Sequence, residues 1–339
     1  MNRERTYTKL LRTGLFMVWG GLLAACSNDL SEEQASDSAL GMVSFTRSDS
    51  PFTVTDDYSP VNVFLVENGT SGTETQTGRF FYRPTETIWK SSIEVTPNRS
   101  YAIYGYAPAN AATVTISSQS LSGATLTFSN LPSVNSQDIC FVVGVQQLSN
   151  KSDAKDIPLG QFNFTGKSES NYVNLLMDHV YAGLCIQMTI DSDYALLRHI
   201  KVRKLELHST KSTAQAVVTL ASNTTKTSPV QSVTYSDESG EERSVTFFES
   251  TDGQALNAEE LIEAICCFVP SLSNQLTLVT TYDVYDRYDN KISERTATNK
   301  LPNMNASRGQ RVNLNLTIAP TYLYVLSDPD LDNPTVVLN

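Results

Sequence analysis

The chain has 339 residues, with 25 Lys or Arg against 36 Asp or Glu and a formal charge of −11, which excludes a nucleic-acid partner because neutralising phosphates needs a basic face. Only 18% of residues are charged and 40% are hydrophobic, enough apolar material to exclude global disorder. Five cysteines are too few for a disulfide scaffold, and at roughly 150 residues per domain the length predicts two domains.

Residues 1–25 read as a signal peptide. Arg3, Arg5, Lys9 and Arg12 form a positive start, and Thr13 to Ala25 is an uncharged, mostly apolar run, shorter than the ~20 residues of a membrane span. Leu23-Ala24-Ala25-Cys26 follows and resembles the lipobox of bacterial lipoproteins, which implies cleavage before Cys26 and acylation of that cysteine. Three acyl chains would hold the protein firmly to a membrane, at about 0.8 kcal/mol per buried methylene. Ser27 to Glu33 is short, polar and acidic, as a solvated tether would be.

Residues 26–47 read as a leader. Between Cys26 and Arg79 the one basic residue is Arg47, so a trypsin-like protease has a single place to cut, before Ser48. The released stretch would end in a strand-like run, Met42 to Thr46.

The body reads as strands from end to end. Val61 to Val66, Tyr101 to Tyr106, Ala124 to Phe128 and Ile139 to Val143 are short, rich in β-branched or aromatic residues, and bounded by Ser, Gly, Pro and Asn. Tyr181 to Ile190, Ile200 to Leu207, Gln215 to Leu220, Arg243 to Phe248, Leu276 to Val284 and Arg311 to Ile318 continue the pattern. Such punctuation predicts an all-β chain of antiparallel sandwiches, one over residues 48–177 and a second over 178–318. The apolar phase slips between Val202 and Leu205, which predicts a β-bulge. One helix is expected, Asn257 to Ile265, with Asn257 as cap and Glu260 closing a capping box.

Site chemistry is sparse. His179, His199 and His208 lie in no H-E-x-x-H arrangement, and C-x-x-C, G-x-S-x-G and G-x-G-x-x-G are all missing. The expectation is therefore a non-enzyme with no cofactor and no metal. Glu206 and His208 share a strand face as a solvated pair. Cys140, Cys185, Cys266 and Cys267 sit in apolar runs and read as buried thiols, with a Cys140–Cys185 disulfide left open. Asp328 to Asn333 starts like a calcium loop but has Asn333 where Gly is wanted and Asn339 where a bidentate Glu is needed. Trp89 and the 15 tyrosines offer stacking surfaces for sugar, though strand aromatics usually pack in cores.

Residues 319–339 form a tail with two strand-length apolar pieces, Tyr322 to Leu326 and Thr335 to Leu338. A strand released in front and a strand pair left over behind suggest exchange between subunits, because an open sheet edge is a template for another chain. Tyr322, Tyr324 and Leu326, or Val336 and Leu338, are the alternate side chains that would fill an acceptor groove.

Taken in order, the lipobox at Cys26, Trp89 followed by Tyr101-Ala102-Ile103-Tyr104-Gly105-Tyr106-Ala107-Pro108, Gln137-Asp138 before Ile139, and Val173 to Leu184 resemble the fimbrillins of Bacteroidota, the lipoprotein pilins of that phylum. The acidic tether after Cys26 is similar to their surface-export signal. Gly105 and Met177 depart from the family pattern, which has an aromatic or Ala at the first and often Phe at the second. The resemblance implies two transthyretin-like antiparallel β-sandwich domains in tandem and delivery to the outer surface of the outer membrane. It implies removal of the leader with its first strand at Arg47/Ser48, and insertion of a neighbour's Tyr322–Leu338 segment into the opened groove. The partners it implies are other fimbrial subunits, the outer membrane through the lipid on Cys26 before processing, and a host or bacterial surface ligand. The alternative is a monomeric glycan-binding surface lipoprotein that keeps its leader.

Overall fold

A computed structural model describes residues 38–47, 59–69, 72–153, 156–223, 228–237, 240–257, 262–322 and 329–338. The chain divides into two units, Met1–Gln34 and Ala35–Asn339, and every described residue falls in the second. In chain order the strands are β1 Ala39–Arg47, β2 Val61–Gly69, β3 Gly72–Arg83, β4 Ile88–Glu94, β5 Ser100–Ala107, β6 Thr113–Ser120, β7 Gly123–Pro132, β8 Val134–Asn135, β9 Cys140–Gln147, β10 Asn163–Thr165, β11 Tyr172–His179 and β12 Ala182–Ile190. After a one-turn helix, α1 Ser192–Ala195, come β13 Arg198–Ser209, β14 Thr213–Ala221, β15 Val230–Asp237, β16 Arg243–Leu256, β17 Ile262–Phe268, β18 Leu276–Asp286, β19 Lys291–Lys300, β20 Arg311–Tyr322 and β21 Pro329–Leu338. The protein is all-β, as its punctuation predicts. Among the described residues no helix is long and apolar enough to cross a membrane.

The strands form because one side of each has somewhere dry to go. In β7, Ala124, Leu126 and Phe128 are buried while Thr125 and Thr127 between them are not, the period-two pattern of a sheet with one wet face. β12 is buried along nearly its whole length. It is a central strand, parallel to β20 and antiparallel to β17, that turns Leu184, Ile186, Met188 and Ile190 into the second core and the partly buried Gln187 and Thr189 away from it. In β13 the register shifts between Val202 and Lys204 against both neighbours, the bulge that the phase slip in the sequence requires.

Two hydrophobic cores result. The first gathers β1, β2, β5, β7, β9, β11 and, from further along the chain, Ala214, Ala216, Val218 and Leu220 of β14. The second gathers β12, β13, β17, β18 and β20. Around the first core, pairing runs β10-β5-β2-β3-β4-β1-β11-β9, and β9 pairs back onto β5 through Tyr106↔Phe141 and Ala107↔Cys140. The sheet thus closes on itself, and a second sheet, β15-β14-β7-β6, packs against it. The second core lies between the sheets β21-β20-β12-β17-β8 and β16-β13-β18-β19.

The helix expected over Asn257 to Ile265 is not formed: Asn257 is coil and Ile262–Phe268 is strand β17, with residues 258–261 outside the described set. The reason is that this segment serves two cores at once. Ile262, Ala264, Cys266 and Phe268 face the second core, while Cys267 and Ile265 pack on the first, a division that alternation provides and a helix does not. The adjacent cysteines therefore point to opposite sides, as a strand reading of that pair requires.

Candidate functional site

β1 is the strand that joins the two ends of the closed sheet. It runs parallel to β11, from Gly41↔Tyr172 to Arg47↔Met177, with a register shift between Met42 and Ser44. On its other side it runs antiparallel to β4, with Gly41↔Lys90 and Met42↔Trp89. Its alternation buries Leu40, Met42 and Ser44. Ser44 Oγ donates to Asn174 Oδ1 at 2.9 Å, and Ser91 Oγ donates to the Leu40 carbonyl at 2.8 Å. A Cβ on Gly41 would sit 2.8 Å from the Tyr172 ring, so the place that ring takes over β1 depends on glycine. Without β1, both β4 and β11 would be left with a bare edge facing one gap floored by the first core.

Arg47 is the last residue of β1, so a cut at its carboxyl side leaves the whole strand on the leader. Cys26 and Ser48 lie outside the described residues. So do Tyr324 and Leu326, whereas the backbones of Tyr322 and Leu338 belong to β20 and β21.

The tail folds back on its own subunit. β21 pairs antiparallel with β20, Leu316↔Leu338 to Ala319↔Thr335 and then Thr321↔Asp330, so Leu331 to Pro334 bulge out opposite Pro320. It is the edge strand of its sheet, and Val336 is buried in the second core. A side-chain clasp from outside that sheet holds the bulge. Arg198 donates from Nε and Nη2 to Asp332 Oδ1 at 3.1 and 2.6 Å, and Arg295 donates from Nε and Nη2 to the Asp332 carbonyl at 3.3 and 3.1 Å. Asn299 Nδ2 donates to the Val336 carbonyl at 3.0 Å. These side chains occupy main-chain acceptors that an edge strand would otherwise offer to another chain. Asp332, the third acid of the calcium-like run, is engaged by Arg198.

The other singled-out residues have local partners. Glu206 pairs with Lys204 at 2.8 Å, and His208 Nδ1 lies 2.8 Å from Glu242 Oε1, so the two residues have separate partners. All four cysteines in the body are buried thiols outside any disulfide, and burial pushes the Cys266 thiol well above its usual range. Trp89 is buried on β4 beside Met42 of β1 and packs on Tyr82 with ring centroids 4.7 Å apart. Among the described residues the one strongly exposed aromatic is Tyr288, at 67%.

One cluster escaped the sequence reading. Asp138, Cys140 and His179 are buried together where β9 meets both β5 and β11. His179 Nδ1 lies 2.6 Å from Asp138 Oδ2, and Cys140 Sγ donates to the same oxygen at 3.0 Å. The donor types suit a metal, but ligands of a tetrahedral zinc sit about 3.3 Å apart, and 2.6 Å is the length of a charge-assisted hydrogen bond. The cluster is a polar rivet at the seam of the closed sheet. Asp138→Ala removes the buried acceptor that the imidazole and the thiol share. It is expected to cost about 3 kcal/mol in urea unfolding, and Asp138→Asn, which keeps an acceptor oxygen, distinctly less. The sequence signal was available only as two separate short runs, Gln137-Asp138 and Asp178-His179, with nothing to say that they meet.

No protein-family model and no curated protein matches the chain. Among solved structures it is similar to a proposed cell adhesion protein from Bacteroides fragilis, at 11% identity over 89% of this chain and 96% of that one, TM-score 0.42. It is also similar to a fimbrial protein from Bacteroides vulgatus, at 14% identity over 89% and 98%, TM-score 0.37. A third is the fimbrial anchor protein Mfa2 from Porphyromonas gingivalis, at 10% identity over 88% and 95%, TM-score 0.29. At these identities and scores the likeness is one of general all-β architecture. What this chain is similar to, then, are proteins described as cell adhesion or fimbrial proteins of Bacteroides and Porphyromonas species.

Proposed function

We propose that this chain is a structural subunit of a cell-surface fimbrium, two sandwiches in tandem, that supports adhesion and assembles by strand exchange. Lipid on Cys26 delivers the precursor to the outer membrane and a protease cuts after Arg47. The Tyr322–Leu338 segment of a neighbour then displaces β1 from its place between β4 and β11. The observation that carries this reading is that β1 ends at Arg47 and alone bridges β4 and β11 among the described strands. One cut therefore makes one whole strand exchangeable, and the groove it occupies has main-chain donors and acceptors on both sides.

The test is intact mass and N-terminal sequencing of the protein taken from its native surface, beside a variant truncated after Ala319. A new N-terminus at Ser48, with SDS-resistant ladders that vanish on truncation, supports the proposal. A monomer that still begins at acylated Cys26 refutes assembly by strand exchange and leaves a membrane-anchored basal subunit or the glycan-binding lipoprotein.

If the tail must leave its own subunit to be donated, the clasp sets how readily it does so. Arg198→Ala with Arg295→Ala removes a half-exposed ion pair, Asp332 being 54% exposed, worth about 1 kcal/mol. Amide exchange over residues 329–338 of the precursor is expected to speed up roughly fivefold, with β12 unchanged.

A further inference from the structure

We propose that the outer face of the sheet β15-β14-β7-β6 is a self-association surface, and that its occupant is the same face of a second copy of this chain.

The inner face of this sheet is accounted for, since Leu126, Phe128, Ala216 and Val218 lie in the first core. The outer face is a grid of short hydroxyl side chains. One cross-strand row is Thr115, Thr127, Val217 and Thr234. The next is Ser117, Thr125, Thr219 and Ser232. Rows of this kind repeat about 4.8 Å across the strands and about 7 Å along them. In this acidic chain the grid carries no charge: β6, β7 and β14 contain no Asp, Glu, Lys or Arg at all, and β15 has only Asp237 at its end.

That blank is what identifies the occupant. Two copies of a chain at −11 repel wherever acidic surfaces meet, and an uncharged face is where they can touch without opposing like charges. Threonine is β-branched and stiff, so burying it sacrifices little side-chain freedom. A regular pleat also complements itself about a two-fold axis. A sugar is the poorer fit, because the strands of this face carry no outward aromatic ring and no outward carboxylate in the two rows. Four strands by about seven residues cover roughly 450 Å², well under the ~800 Å² per partner of a stable dimer. A single contact is therefore weak, and it gains strength where many copies are arrayed on one surface.

The test is made on intact cells carrying the full chain with Thr127→Cys, using a short bis-maleimide. The four cysteines of the body are buried, so the parent gives the blank. Thr298→Cys, on the exposed side of β19, is the control for random encounter. Crosslinking of Thr127→Cys to a homodimer, at least tenfold above the control, is expected. Adding Thr125→Glu and Thr234→Glu is expected to lower it at least tenfold at equal surface display. Yield no higher than the Thr298→Cys control, an adduct of another mass, or indifference to the two glutamates would each overturn the proposal. Competition by a soluble polysaccharide but not by the chain itself would reassign the face to a glycan. Repeating the experiment with Arg47→Ala keeps this result separate from strand exchange, since face contact requires no processing.

Discussion

Arg47→Ala is expected to abolish assembly, with the surface protein remaining a monomer that begins at acylated Cys26. No other Lys or Arg lies between Cys26 and Arg79, and Arg79 sits inside β3, paired with Asn62 of β2, where a protease cannot reach an extended substrate. No substitute cut is therefore at hand. Ladder formation should fall by at least a hundredfold, read by SDS gels and N-terminal sequencing of surface material. Arg47→Lys separates an arginine-restricted protease from one that accepts both bases. Ladders of normal intensity from Arg47→Ala would sink the proposed processing step.

Met42→Ala and Leu40→Ala should each destabilise the precursor by about 2–5 kcal/mol, the range for emptying a fully buried site of that size. Both side chains are buried to within 1% in the first core. The informative comparison is with processed protein. Once β1 has gone, neither residue belongs to the mature subunit, so urea midpoints of assembled subunits made from mutant and parent should coincide. A deficit that persists after processing would mean that β1 stays in place and that the gap is never vacated.

How much of this was readable in the sequence depended on which face of each strand is buried. Strands with a full apolar face, such as β2, β5, β12 and β20, stand out as Val, Ile, Leu and Tyr runs. Strands β3, β6, β15 and β19 do not, because Gly72–Arg83 or Lys291–Lys300 offers Thr, Ser and charged residues with few buried side chains. What makes them strands is the neighbour they pair with, which propensity does not encode. The misread helix has a similar origin. Ile262 and Ile265 are three apart and mimic a helical stripe, whereas each serves a different core. The candidate site was half legible. Arg47 was visible from charge spacing, the run Met42 to Thr46 from its strand-like residues, and Val336 from its apolar tail. That β1 closes a sheet between β4 and β11, and that Arg198, Arg295 and Asn299 hold the tail, depends on contacts more than 30 residues apart in the chain, beyond any local pattern.

The position of β1 also bears on how a subunit leaves the membrane. Under the proposal the lipid on Cys26 and β1 lie on the same side of the cut, so cleavage after Arg47 would break a covalent bond without detaching anything. The clipped peptide is still laced to β4 and β11 by two ladders and by Leu40 and Met42, and through it the subunit stays moored. In the proposed scheme the mooring is slipped only when an incoming strand displaces β1. Growth of the polymer and release from the membrane then become one event, and a cut subunit with no neighbour is not lost from the cell.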